Sequence, residues 1–147
     1  MRLQCAKQLR GDLGGLQKLK VQDLMSENVV TTKEETTIED AVKLLFRKHA
    51  DSLVIIDDEG KCKGIFTERD ILRSVAKSVP LNTHLKEVMS KNVLTVRKKD
   101  SFAKAKGLMV SHSIRHLPVV DEKGYLVGML TIRKILDELV GMPIFRS

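Results

Sequence analysis

Shifted by 64 residues, the chain lies on itself without a gap, and this constrains its folds more than any other property. Val21–Leu72 and Leu85–Leu136 carry identical residues at fifteen positions, among them Met25/Met89, Asn28/Asn92, Ala41/Ala105, Gly64/Gly128, Thr67/Thr131 and Arg69/Arg133. A gapless repeat of this length means two copies of one supersecondary unit. Neither copy is large enough to bury its own apolar face well, so the two are expected to pack on each other. The natural place for function is then the interface between them.

Within a copy the pattern of residues indicates strand, helix, strand, strand, helix. Val21–Ser26 is a short amphipathic turn, repeated as Leu85–Ser90. Val29–Thr32 is β-branched and predicts a strand. Thr36-x-x-Glu39 has the form of a capping box, followed at helical spacing by Ile38, Ala41, Val42, Leu45 and Phe46, with the helix ending near His49. Leu53–Ile56 is a continuous apolar run of buried-strand length, Asp57–Gly60 supplies a turn, and Lys61–Phe66 returns as its hairpin partner. A second helix opens at Thr67. The order is expected again from Val93 to about Val140, with Pro80 breaking the linker and Gly141 with Pro143 ending the last helix. The fold class is α/β (α+β), two pseudo-symmetric repeats packed through their sheets. Residues 1–20 form a basic arm or weak helix, 21–84 the first repeat with its linker, and 85–147 the second repeat with its tail.

Charge divides unevenly along this frame: net +4 over 1–20, −3 over 21–84 and +6 over 85–147. Such asymmetry suits contact between unlike repeats, or a polyanion bound to the basic arm and second repeat. Aromatic content of 3% without tryptophan, and no recognisable reading helix, argue against nucleic acid as a partner. No apolar run reaches membrane-spanning length, no signal peptide is evident, and Cys5 and Cys62 are expected to be free thiols. The expectation is a soluble cytoplasmic protein.

Thr67-Glu68-Arg69-Asp70 is the segment richest in chemistry. At a helix start, Thr-x-x-Asp is a capping box with aspartate in the place of glutamate, and an acid there is favoured by the helix dipole. The same geometry also offers free N–H groups, a hydroxyl and a carboxylate able to accept from a vicinal diol. His112 and His116 have a spacing seen in zinc sites. Ile114–Val120 instead reads as a helix-to-strand transition, and a third ligand from Cys5 or Cys62 would be arbitrary, so no metal is expected. Nucleophile-elbow, phosphate-loop and paired-cysteine motifs are lacking, and no catalytic residues are assigned.

Two gapless copies of this element order, each closing in Gly-x-x-Thr-x-Arg, resemble a pair of cystathionine-β-synthase (CBS) domains, the Bateman module. The resemblance spans about residues 20–140, and its most specific parts are Gly64–Asp70 and Arg115–Val120. It implies adenosine-containing ligands held between the repeats, with AMP favoured and ATP or NAD as alternatives. Thr67 and Asp70 would hold ribose in the first site, Asn28, Val29 and Thr31 would line its base pocket, and Arg69 would lie near phosphate. Ser52, Gly64 and Phe66 would complete its walls. Val93, Thr95, Ile114, Pro118 and Thr131 would be the second copy's contribution, with Arg115 and His116 turned to the cleft in place of Asp51 and Ser52. Lys134, standing where Asp70 does, opposes the dipole and cannot accept from a diol, so two unequal sites are expected. The resemblance further implies a regulatory, non-enzymatic homodimer that signals to an effector protein. A nucleic-acid-binding protein and a structural adaptor without ligand are the competing readings.

Overall fold

The computed structural model describes residues 18–141. The basic arm expected over residues 1–20, with Cys5, therefore lies almost wholly outside the described residues, as does Pro143. The elements are α1 (Val21–Leu24), β1 (Thr31–Thr32), α2 (Ile38–Lys48), β2 (Ser52–Ile56), β3 (Cys62–Thr67), α3 (Glu68–Ala76), a 3-10 turn (Leu85–Glu87), α4 (Phe102–His112), β4 (His116–Val120), β5 (Leu126–Thr131) and α5 (Ile132–Val140).

Both hairpins form as their apolar runs indicate. β2 pairs antiparallel with β3, and β4 with β5. The turns are held by Asp57 Oδ1, which accepts from Glu59 and Lys61 N–H, and by Asp121 Oδ1, which accepts from Lys123 and Tyr125 N–H. Gly60 and Gly124 complete them at φ of 90° and 91°, where a side chain would be strained. β1 lies parallel beside β2, making a three-stranded sheet. In the second repeat the equivalent strand shrinks to one parallel bridge, Val96 to Val119, so the element order recurs with its first strand almost lost. α2 also starts one residue later than expected. Thr37, not Thr36, accepts from Asp40 N–H, while Thr36 shares a 2.6 Å hydrogen bond with Thr32.

Two apolar cores form, and each draws on both repeats. Ile38, Ala41, Leu45, Leu53, Ile55 and Phe66 pack with Leu85 and Met89 from the head of the second copy. Val96, Ala105, Met109, Leu117, Val119, Leu130 and Ile135 pack with Val21 and Leu24 from the head of the first. The opening turns are thus exchanged. Main-chain bonds fasten them in place: Val21 N–H donates to Asp100 O and Phe102 N–H to Leu19 O, while Ile38 N–H donates to Thr83 O and Leu85 N–H to Thr36 O. Each turn then crosses the last strand of the other copy, Ser26 bonding Met129 and Ser90 bonding Ile65 in both directions. The crossings explain two repeated glycines. A Cβ on Gly64 would lie 3.0 Å from Ser90 O and 2.6 Å from Met89 Sδ, and one on Gly128 would lie 3.0 Å from Ser26 O. This interlocking answers the problem of two halves each too small to stand alone.

Candidate functional site

β3 delivers Thr67 directly to the N-terminus of α3, and β5 delivers Thr131 to that of α5. Ser52 faces Thr67 in the first ladder and His116 faces Thr131 in the second. The parallel register of Thr31 with Val54 carries Val29 to the level of Ser52, and so of Thr67. Asn28, exposed, turns at that same sheet end, its N–H donating to Ser26 Oγ. By the equal offset of Val96 to Val119, Val93 reaches the level of His116, with Thr95 exposed beyond it. The first-strand residues and the helix starts therefore meet at one end of each hairpin.

Asp70 is buried, with 5% of its side chain exposed. Its Oδ2 accepts from Thr67 N–H at 2.9 Å and from the Thr67 hydroxyl at 3.3 Å, and its Oδ1 accepts from Arg73 Nη1 at 3.0 Å. The Thr67 hydroxyl in turn receives the Asp70 N–H, completing a capping box. The carboxylate is thus already engaged by its own helix and by Arg73. A diol reaching it exchanges for one of these donors. At α5 the start is different in kind. Thr131 Oγ1 accepts from Lys134 N–H at 2.9 Å, but among the described residues no side chain reaches back to Thr131 N–H, and Lys134 Nζ turns away to Glu138 Oε1 at 2.8 Å.

Among the described residues, one side-chain hydrogen bond joins the two helix starts across the repeats. His116 Nε2 lies 3.3 Å from Asp51 Oδ1. Asp51 O accepts from Glu68 N–H in the first turn of α3, and Arg115 O accepts from Ile132 N–H in the first turn of α5. His116 therefore reaches the first helix start, whereas the Arg115 backbone is fixed against the second. Arg69 and Arg115 are exposed, with no ion-pair partner among the described residues.

Some anticipated residues take other roles. Phe66 is wholly buried in the first core, and Gly64 is covered by Met89 and Ser90, so neither presents a surface to a ligand. Pro118 is buried within β4, its carbonyl accepting from Val96 N–H, and Ile114 packs against the second core. His112 Nδ1 contacts Leu108 O on its own helix while His116 faces Asp51, so the pair does not converge on a metal. Among the described residues no three His, Cys, Asp or Glu side chains cluster as metal ligands, and no helix is long and apolar enough to cross a membrane. Cys62 is an unpaired thiol whose pKa burial raises, leaving it a weak nucleophile. Of two surface depressions, about 520 and 540 Å³, one lies beside Lys63 and Lys86, and the other is lined by Thr95 with Arg97 and Lys123. Asp51 and Arg73 were not anticipated. For Asp51 a signal was present, because its aligned partner Arg115 carries the opposite charge.

Paired helix starts on two interlocked hairpin units are found in known proteins. The family model for the CBS domain matches residues 21–77 and again 85–141. The chain belongs to the CBS domain family. Solved CBS pairs share its fold. The CBS domain pair of protein MJ0100, in complex with 5-methylthioadenosine and S-adenosyl-L-methionine, is 28% identical with a TM-score of 0.77, over 84% of this chain and 97% of that one. A CBS domain protein from Pyrobaculum aerophilum, complexed with AMP, is 29% identical with a TM-score of 0.75, over 84% of this chain and all of that one. Among curated proteins, homoserine O-acetyltransferase of Methanohalophilus mahii is 39% identical over 113 residues, 77% of this chain. The CBS pair spans only 23% of that enzyme's length.

Proposed function

We propose that the chain is a regulatory CBS pair that binds an adenosine-containing nucleotide at the start of α3 and passes the event to a partner protein. One observation carries this reading: Thr67 and Asp70 share a helix N-terminus that His116 of the other repeat reaches across to meet. A helix start favours anions, Asp70 can trade Thr67 or Arg73 for ribose hydroxyls, and Arg69 is free to face phosphate. Asn28, Val29, Thr31 and Ser52 stand at the same sheet end for the base. The complexes of related pairs with AMP and with S-adenosylmethionine support an adenosine ligand. AMP is favoured, with ATP or NAD as alternatives. The second site, with Lys134 for Asp70, is the weaker.

No activated nucleophile or base is assigned, and the protein acts by binding rather than by catalysis. Exposed apolar side chains recur at matched places on its helices, Phe46 with Val110 and Leu72 with Leu136, and suit a homodimer. A ligand shifts the packing of the two repeats by its differential affinity for two arrangements, and an effector reads the result. The setting is the cytoplasm. Equilibrium dialysis with radiolabelled AMP tests the reading. Binding that an excess of unlabelled adenosine nucleotide removes supports it, and retention no greater than for a guanosine nucleotide contradicts it.

A further inference from the structure

We propose that Asp51 sets how much negative charge an adenosine ligand can bring into the first site, making that site selective for nucleosides and monophosphates over triphosphates. The inference rests on the ligand reading just given and names the ligand class of that same site. Asp51 is fixed by its backbone: its carbonyl accepts from Glu68 N–H at 3.2 Å, and Ser52 next to it is paired with Thr67. Its side chain is 42% exposed and turns across the repeat boundary to His116, whose own side chain is only 14% exposed. A carboxylate only accepts, so His116 Nε2 carries the hydrogen between them. Among the described residues this is the one side-chain hydrogen bond that joins the two repeats.

The consequence is a conflict of charge at a place otherwise suited to anions. A phosphate arriving at the first turn of α3 meets free N–H groups and the positive end of the dipole. It also meets the Asp51 carboxylate, which already holds the histidine that would face the anion. Each added phosphate charge raises that repulsion, while a neutral nucleoside escapes it. The device selects by exclusion. At the aligned position the second repeat carries Arg115, so the same carboxylate is not presented there.

The test is calorimetric titration of the full chain and of Asp51→Asn with adenosine, AMP and ATP, at low and high salt. Any side chain at position 51 leaves the backbone bond to Glu68 in place, and Asp51→Ala removes the hydrogen bond to His116 that asparagine could keep. In both variants affinity should rise in the order of ligand charge, by roughly twofold to fivefold per phosphate charge, with adenosine changed by less than about twofold. High salt should compress the differences. Equal shifts for all three ligands, or no shift, would overturn the role of Asp51 while leaving the site intact. No binding of any ligand to any of the three proteins would overturn the ligand reading itself, and this inference with it.

Discussion

Helices α3 and α5 begin alike and part company within four residues. Both follow a strand that ends in threonine, and both donate their first N–H to the carbonyl of the residue before the facing strand. In α3 the third residue is an aspartate that closes a capping box and pairs with Arg73; in α5 it is a lysine that leaves the box open and pairs with Glu138. The first start presents an acceptor at the positive end of a helix, where it is stabilised, and the second presents a donor there. The comparison separates what the fold requires from what a ligand requires. Threonine at the strand–helix junction serves both copies as a cap, so it says little about binding, whereas the residue three places on differs because the fold does not need it to be one or the other.

The two copies also differ in where their sequence ends up, and that offers the strongest perturbation. Leu24 belongs to the first copy by sequence and to the second core by packing. Leu24→Ala should destabilise the protein by about 2–5 kcal/mol. Hydrogen exchange should lose protection in β4 and β5 before β2 and β3; the reverse order would show that the exchanged turn is not part of the second core. A smaller effect should separate the helix starts. Asp70→Ala removes a box and an ion pair and should lower stability by about 1–2 kcal/mol. Lys134→Ala loses only a half-exposed pair and should alter it by less than about 0.5 kcal/mol. Equal losses in chemical denaturation would erase the distinction.

Copying one start onto the other sharpens the contrast further. Lys134→Asp with Asp137→Arg and Glu138→Ser gives α5 the aspartate, arginine and serine that α3 carries at those positions. The thermal midpoint should rise in keeping with about 1 kcal/mol of added capping and dipole energy. An unchanged or lowered midpoint would mean that the two backbones are less alike than their registers indicate. The smallest effect concerns the loop that receives the exchanged turn. Asp100 is held below the usual carboxylate range, first by the N–H of Arg97 and then by Lys104. Its folded pKa is depressed, so its stabilisation is present above the unfolded carboxylate pKa and fades as pH falls through the folded one. Asp100→Asn should therefore lower stability near neutral pH by about 1 kcal/mol or less, with the gap to wild type closing in acid. A gap independent of pH would assign the effect to shape rather than charge.

Much of the fold was legible because its signals are local. Apolar runs of strand length, Asp-to-Gly turns and the threonine at the start of α3 placed both hairpins and the second helix of each copy. The cap of α2 was misplaced by one residue because Thr36 and Thr37 are both capable caps, and only the hydrogen bond of Thr36 to Thr32 decides between them. The near-loss of the first strand in the second copy was not legible from Val93-Leu94-Thr95, which is as β-branched as many strands. Nor could a repeat show which copy's core would receive Leu24, since each turn fits either. At the candidate site, the spacing of Thr67 and Asp70 placed both at one helix start, where they bond each other. The burial of Phe66 was not legible, because an aromatic beside a helix start looks the same in sequence whether it lines a cleft or fills a core. The approach of Asp51 to His116 spans 65 residues and was hidden from any local pattern.

The most direct test of the account is the number of AMP molecules bound per chain, measured by calorimetric titration of wild type, Asp70→Ala and Lys134→Ala. The account predicts one strong equivalent in wild type, lost or weakened tenfold or more in Asp70→Ala and unchanged in Lys134→Ala. Two equal equivalents, or one that survives in Asp70→Ala, would contradict it.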